Sequence, residues 1–206
     1  MSALLTAGPV PAKARLTVIL VHGRGADAAD ILTIADELRL DDVAYVAPQG
    51  GGRSWYPYSF LSPISDNEPA LSSALRVLSR LIEGLQRDGV DTERIALLGF
   101  SQGACLSLEY AARYARRYAG VVGLSGGLIG PPGMARNDAG SLDGTPVFLG
   151  CSDVDPHIPL SRVEETAAVL QSLGGTVDER IYPGMGHTIS ADELFAVRRL
   201  FEGPRR

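Results

Sequence analysis

Cysteine is scarce in this chain. Cys105 and Cys151 are the two present, both inside apolar stretches and without the spacing of a metal site or a redox pair. They read as buried free thiols of a reducing cytoplasm rather than as a disulfide, and no metal ligand set is expected. A basic excess is also missing: 19 Lys and Arg face 24 Asp and Glu, a net charge of −5, with the arginines scattered among the acids. Without a basic stripe for a phosphate backbone, nucleic acid is excluded as a partner. Long apolar runs are absent too. No segment approaches the roughly 18 consecutive apolar residues of a membrane span, so stable membrane insertion is not expected. The start, Met1 to Pro11, lacks a basic region followed by an apolar one and is interrupted by Pro9 and Pro11. Residues 1–14 therefore read as a loose N-terminal arm rather than an export signal, and the chain is expected in the cytoplasm. There is no internal repeat and no low-complexity tract.

What is present is apolar content and alternation. With 206 residues, 45% of them hydrophobic, the chain fits one domain over 1–206 with a sizeable core. Short apolar runs alternate with longer stretches whose apolar residues recur every three or four positions, the pattern of βαβ units. The strand candidates are Leu16–Val21, Val43–Ala47, Arg94–Leu98, Gly120–Leu124, Pro146–Gly150 and Thr176–Tyr182, mostly continuous apolar runs of the kind buried on both faces. Six strands imply a largely parallel sheet flanked by helices. A helix starting near Pro69 carries the stripe Leu71, Leu75, Leu78, Ile82, Leu85. Similar stripes run through Ile31/Ile34/Leu38, Ala104/Leu108/Ala111/Ala115 and Val163/Ala167/Leu170. Ser190 and Glu193 form a capping box that opens the last helix, which buries Leu194, Val197 and Phe201. Two stretches resist the scheme and read as surface loops: Gly50–Glu68, holding Trp55, Tyr56, Tyr58 and Phe60, and the Gly- and Pro-rich Gly126–Gly144.

Gly99-Phe100-Ser101-Gln102-Gly103 matches the Gly-x-Ser-x-Gly pattern of a nucleophile elbow, a weak signal alone in a chain with 24 glycines. A second copy, Gly123-Leu124-Ser125-Gly126-Gly127, makes the point. The elbow needs a buried strand before the serine and a helix after it, to lift Oγ clear of the sheet. Ser101 has both, with Arg94–Leu98 ahead and an amphipathic helix over Gln102–Tyr118 behind. After Ser125 the run Leu128-Ile129-Gly130-Pro131-Pro132 cannot continue as a helix, so that copy reads as a strand-end turn.

A serine hydroxyl needs a base, and the base needs a carboxylate to orient it. In a fold of this kind the chain order is Ser, acid, His. Of three histidines, His22 precedes the serine and His157 shares a loop with the acid candidates, which leaves His187, between the last strand and the last helix. Asp153 and Asp155 both follow the fifth candidate strand. Asp155 is preferred because Pro156 holds its turn rigid, with Asp153 as a hydrogen-bonding residue of the same loop. For an oxyanion, the backbone N–H of Gln102 supplies one donor and that of Arg24, in Val21-His22-Gly23-Arg24-Gly25, the other.

His22-Gly23-Arg24-Gly25, Gly99-Phe100-Ser101-Gln102-Gly103, Leu124-Ser125-Gly126-Gly127, Asp155-Pro156-His157-Ile158-Pro159 and Gly186-His187 stand in order along nearly the whole chain. Together they make the sequence resemble the carboxylesterase/phospholipase family of α/β-hydrolases, which includes acyl-protein thioesterases and small bacterial carboxylesterases. The resemblance implies an α/β-hydrolase fold, Asp155 as the acid, and no cofactor. Arg24 departs from it, because the better-known members carry an apolar residue there; its side chain either reaches an anionic substrate group or lies in solvent. Trp55 and Tyr56 look like the family's aromatic loop, either walling the acyl pocket or anchoring the loop on the core.

The expected activity is hydrolysis of a small-molecule ester through an acyl-enzyme. The short stretch between the fourth and fifth candidate strands rules out a large cap domain, so short-acyl or aryl esters are favoured. A thioesterase or lysophospholipase acting on longer chains uses the same three residues, and a non-catalytic binding protein on the same scaffold is the alternative from another class. A homodimer is compatible with the sequence.

Overall fold

The computed structural model describes residues 4–203. Its sheet has seven strands: β1 Leu4–Ala7, β2 Leu16–Val21, β3 Val43–Pro48, β4 Ile95–Phe100, β5 Gly120–Leu124, β6 Pro146–Ser152 and β7 Thr176–Tyr182. They lie in the order β1-β3-β2-β4-β5-β6-β7. The run from β3 to β7 is parallel, as continuous apolar strands require, and β1 pairs antiparallel with β3, Leu4 opposite Pro48 and Ala7 opposite Tyr45.

The seventh strand corrects the expectation of a loose arm over 1–14. Leu4–Ala7 is an edge strand of four residues, none of them fully buried, so it leaves no apolar pattern to read. Gly8 then turns the chain at φ 76°, where an added Cβ would sit 2.2 Å from the Val43 carbonyl oxygen. Pro11–Lys13 makes a single 3-10 turn. Residues 1–3 of the expected arm lie outside the described residues.

Side chains alternate across the sheet and sort the helices onto two faces. Ile19 and Val21 of β2 point to one core with Val46, Leu97, Val121 and Leu149. That side is covered by α4 Ala70–Arg87, α5 Gln102–Arg113 and α6 Leu160–Ser172. Val18 and Leu20 point the other way with Leu98, Val122 and Phe148, under α1 Ala28–Leu32, α2 Ile34–Leu38 and α7 Ala191–Glu202. A four-residue helix, α3, spans Ile64–Asn67. The stripe predicted for α4 is the one observed: Leu71, Leu75, Leu78, Ile82 and Leu85 are all buried. Truncating any of them to Ala would cost about 2–5 kcal/mol. The expected capping box of α7 is present, with Ser190 Oγ accepting from the Glu193 amide; Val197 and Phe201 are buried and Leu194 partly so.

Three other expectations shift. The stripe Ile31/Ile34/Leu38 belongs to two short helices, because Thr33 ends one and starts the next while its hydroxyl donates to the Asp30 carbonyl. The helix after Ser101 stops at Arg113, not Tyr118. It is buried on every side from Gln102 to Ala112 rather than amphipathic, since it is sandwiched between the sheet and α4. Finally, Gly126–Gly130 is buried rather than a surface loop. It is tolerated inside because side chains take up its backbone: Thr166 Oγ1 accepts from Leu128 N–H at 2.9 Å, Glu109 from Ile129 N–H at 3.0 Å, and Arg162 donates to the Leu128 carbonyl at 3.1 Å. Between β5 and β6 no helix stands over the sheet, so no large cap is present.

Candidate active site

Parallel strands bring their C-terminal ends to one edge of the sheet, and the loops there are where α/β sheets place their chemistry. β2 runs into His22-Gly23-Arg24, β4 into Ser101, β6 into Asp155, and β7 into the loop carrying His187. Ser101 sits between β4 and α5 at φ 55° and ψ −121°, a strained conformation for a residue with a Cβ. The bend is held tightly. A Cβ on Gly99 would lie 2.2 Å from the Gly103 carbonyl oxygen, and one on Gly103 2.0 Å from that of Val21.

The structure brings Ser101, His187 and Asp155 together. Ser101 Oγ is 2.9 Å from His187 Nε2, and His187 Nδ1 is 2.7 Å from Asp155 Oδ2. With Nδ1–H donating to the carboxylate, Nε2 is left to accept from the serine hydroxyl. Asp155 Oδ1 accepts from the amides of His157 at 2.8 Å and Ile158 at 3.0 Å. Burial works to raise the Asp155 carboxyl, but the His187 bond and the two amides outweigh it and hold it below the usual carboxylate range. The Cys151 thiol lies 3.9 Å from Asp155 Oδ2. Burial, with the Asp155 charge behind it, pushes that thiol up to about 12, so it faces the carboxylate as S–H. Asp153 does not bind the acid's own loop. Its Oδ1 accepts from the Gly184 amide at 2.8 Å, and Ser152 Oγ from that of Gly186 at 3.1 Å, so the β6 loop ties down the loop that carries His187.

Gln102 begins α5 directly after Ser101, so its amide has no partner within the helix, and the Arg24 amide follows Gly23, where an added Cβ would lie 3.4 Å from the Ser101 Cβ. The side chains of both residues do something the sequence did not disclose. Gln102 Oε1 accepts from the Trp55 amide at 2.9 Å while its Nε2 donates to the Tyr56 carbonyl at 2.8 Å. The Arg24 guanidinium donates to the carbonyls of Tyr56, Pro57 and Tyr58 at 3.0, 2.7 and 2.7 Å. Arg24 is thus solvent-exposed but not free, and the aromatic loop is tied by Gln102 to the elbow and by Arg24 to the loop after β2.

A cavity of about 450 Å³ opens over Ser101, within the usual size for small-molecule sites. Tyr56 lines it, with Tyr58, Phe60, Cys105, His157 and Ile158. Trp55, expected beside Tyr56 at the pocket, is instead an anchor: it is buried, packs against His22 with ring centroids 4.9 Å apart, and donates its indole N–H to the His22 carbonyl at 2.9 Å. His22 itself is a buried structural residue whose Nε2 accepts from the Gly50 amide at 2.9 Å. Tyr58 and Phe60 were legible as members of an unusual aromatic loop, whereas nothing in the sequence pointed to Ile158 or His157 as lining residues. His157 stands edge-on to His187, centroids 4.8 Å apart. Among the described residues no group of three or more His, Cys, Asp or Glu is arranged to hold a metal ion, and no helix is long and apolar enough to cross a membrane.

A mostly parallel sheet covered by helices on both faces, with a strained serine at the end of a central strand, defines an α/β-hydrolase fold. The phospholipase/carboxylesterase family model matches residues 9–202, and the chain belongs to that family. It is similar to a phospholipase/carboxylesterase of known structure from Dyadobacter fermentans, with 42% identity, a TM-score of 0.92, and coverage of 96% of this chain and 95% of that one. Acyl-protein thioesterase 1 from Yarrowia lipolytica is 30% identical over 208 residues, 90% of this chain and 91% of its own. The protein of that name from Gibberella zeae is 29% identical over 211 residues, 90% and 89%.

Proposed function

We propose that the protein hydrolyses carboxylic esters through an acyl-enzyme, with Ser101 as nucleophile, His187 as general base and acid, and Asp155 as the orienting carboxylate. The observation that carries this reading is the unbroken hydrogen-bonded chain from Asp155 through His187 to a strained serine on the floor of a cavity. Ser101 Oγ attacks the ester carbonyl as its proton passes to His187 Nε2; that proton then leaves with the alcohol. Water attacks the acyl-enzyme, gives its proton to the same nitrogen, and the acid departs as the serine is restored. The amides of Arg24 and Gln102 stabilise the oxyanion of both tetrahedral intermediates.

The aromatic lining of the cavity and the lack of a cap support short-acyl or aryl esters as substrates. A second reading, cleavage of acyl thioesters with longer chains, is favoured by the relatives named acyl-protein thioesterase 1. Both are tested with p-nitrophenyl esters of increasing chain length and the matching thioesters. The expected result is highest kcat/KM at short acyl groups, and a loss of about 10⁴-fold or more in Ser101→Ala. Activity that rises steadily toward long chains, or is highest on thioesters, would favour the second reading; full activity in Ser101→Ala would overturn both.

A further inference from the structure

The arginines of this chain mostly find carboxylates: Arg15 pairs with Asp42, Arg53 with Asp27, Arg136 with Glu109 and Asp138, and Arg180 with Asp178 and Asp192. Arg24 has no carboxylate partner, and neither has Arg94, which the Ala14 carbonyl holds; what sets Arg24 apart is its place at the mouth of the cavity over Ser101. Its guanidinium is held by three backbone carbonyls, which are neutral, and lies 5.9 Å from the Tyr56 ring centre. Those bonds use three of the five N–H donors of a guanidinium, so two donors and the whole positive charge remain for a further partner. The bonds also fix the group in place, which removes the conformational entropy a free arginine would lose on binding.

The cavity around it offers nothing to neutralise that charge. Among the described residues that line it none is a carboxylate. Asp155, the acid nearest by connectivity, has a fully buried side chain committed to His187. In a protein of net charge −5, an exposed guanidinium at a cavity mouth whose lining holds no carboxylate runs against the overall charge.

The direction of the reaction says which part of a substrate meets the arginine. The leaving oxygen takes its proton from His187 Nε2, so the alcohol departs along the wall made by His187 and His157. Apart from the histidines and Ile158, the cavity is lined by the loop Tyr56–Phe60 that Arg24 clasps, with Gln102 and Cys105, and this part is left for the acyl group.

We infer that the preferred acyl group carries a carboxylate, so that the substrate is a half-ester of a short dicarboxylic acid, recognised by the Arg24 side chain. This rests on the ester-hydrolase reading above and narrows it. Because the Arg24 amide also belongs to the proposed oxyanion site and its side chain braces the loop, the test must separate charge from scaffolding. Matched pairs of esters serve: p-nitrophenyl hemisuccinate, hemiglutarate and hemiadipate against neutral p-nitrophenyl butyrate, valerate and hexanoate. In the wild type, kcat/KM should be about tenfold higher for the anionic member of at least one pair, with added salt raising KM for that member alone. Arg24→Gln should cut the anionic-to-neutral ratio about tenfold, and Arg24→Lys, which keeps the charge, should retain most of it. A wild-type preference for the neutral member of every pair would overturn the inference without any variant. So would equal losses on both members in Arg24→Gln, which would leave the arginine a strut and nothing more. If the neutral esters are hydrolysed and Ser101→Ala abolishes this, the ester-hydrolase reading stands whichever way the charge test falls. If neither class is hydrolysed, both readings fall together.

Discussion

Residues 99–103 and 123–127 carry the same Gly-x-Ser-x-Gly pattern at the ends of adjacent parallel strands, and the fold treats them alike up to a point. Both serines take positive φ, 55° at Ser101 and 50° at Ser125, and each donates its amide to the neighbouring strand, to Leu124 and Gly150 respectively. Beyond that they diverge. Ser101 is half-buried, opens a helix, and meets His187; Ser125 is fully buried, is followed by the non-helical Gly126–Gly130, and its hydroxyl has no nitrogen or oxygen partner among the described residues. The pattern thus encodes a sharp bend at a strand end. What differs is what the bend faces: at Ser101 a helix N-terminus behind the serine and the loops of β6 and β7 in front of it.

Stripping Ser101 of its partners should therefore move it toward Ser125, and the largest effect is expected at the acid. In Asp155→Asn the amide can present a donor where His187 needs an acceptor, so the imidazole loses its tautomer. kcat should fall about 10⁴-fold with KM little changed. The same variant tests the electrostatics. The Asp155 carboxyl is held below its ordinary value in the folded state, so its contribution to stability is fully present above the unfolded value of about 3.9 and is lost as pH falls through the folded one. Urea unfolding should show wild type more stable than Asp155→Asn at pH 7, with the gap closing below about pH 4. A gap that widens on acidification would contradict the sign.

The glycines make a second test, one of stability. In the first pattern they face backbone: added Cβ atoms on Gly99 and Gly103 would meet carbonyl oxygens at 2.2 and 2.0 Å. In the second they face side chains, Leu108 Cδ1 at 2.7 Å from Gly123 and Arg162 Cγ at 2.7 Å from Gly127. Side chains can move aside; a strand carbonyl cannot without breaking its ladder. Gly103→Ala should cost about 3 kcal/mol or more, and Gly127→Ala about 1 kcal/mol, measured by denaturant unfolding. Equal costs would mean that the two bends are built alike after all.

How much of this was legible beforehand follows the same logic of what a residue faces. The strands β2 to β6 are buried on both faces, so their apolar runs could be read directly; β1, an edge strand with no buried face, could not. That Ser101, His187 and Asp155 would meet could be read from their order along the chain, because strand order fixes which loops reach the sheet edge. The cavity lining was only half visible. Tyr56 and Phe60 stood out as aromatics in a loop, but Trp55 looked the same and turned inward to bond the His22 carbonyl, a choice made by a long-range partner. Likewise Arg24 and Gln102 were chosen for their amides, while their side-chain bonds reach 32 to 34 and 46 residues away, to carbonyls that have no sequence signature.

The smallest expected effect belongs to Ser125 itself, and it decides how sharp the contrast is. Its buried hydroxyl has no nitrogen or oxygen partner among the described residues; its polar neighbour is the Cys151 thiol, which in turn is 3.9 Å from the Asp155 carboxylate. If the hydroxyl is a passive remnant of the bend, Ser125→Ala removes an unpaired polar atom from the interior. Stability should then rise by up to about 1 kcal/mol, with kcat/KM within about threefold of wild type. If instead it steers the thiol that faces Asp155, kcat falls while KM holds, and Cys151→Ala reproduces the loss while Cys151→Ser, which keeps a donor, restores activity. The first outcome leaves the two bends chemically distinct; the second would make the silent serine a remote support for the active one.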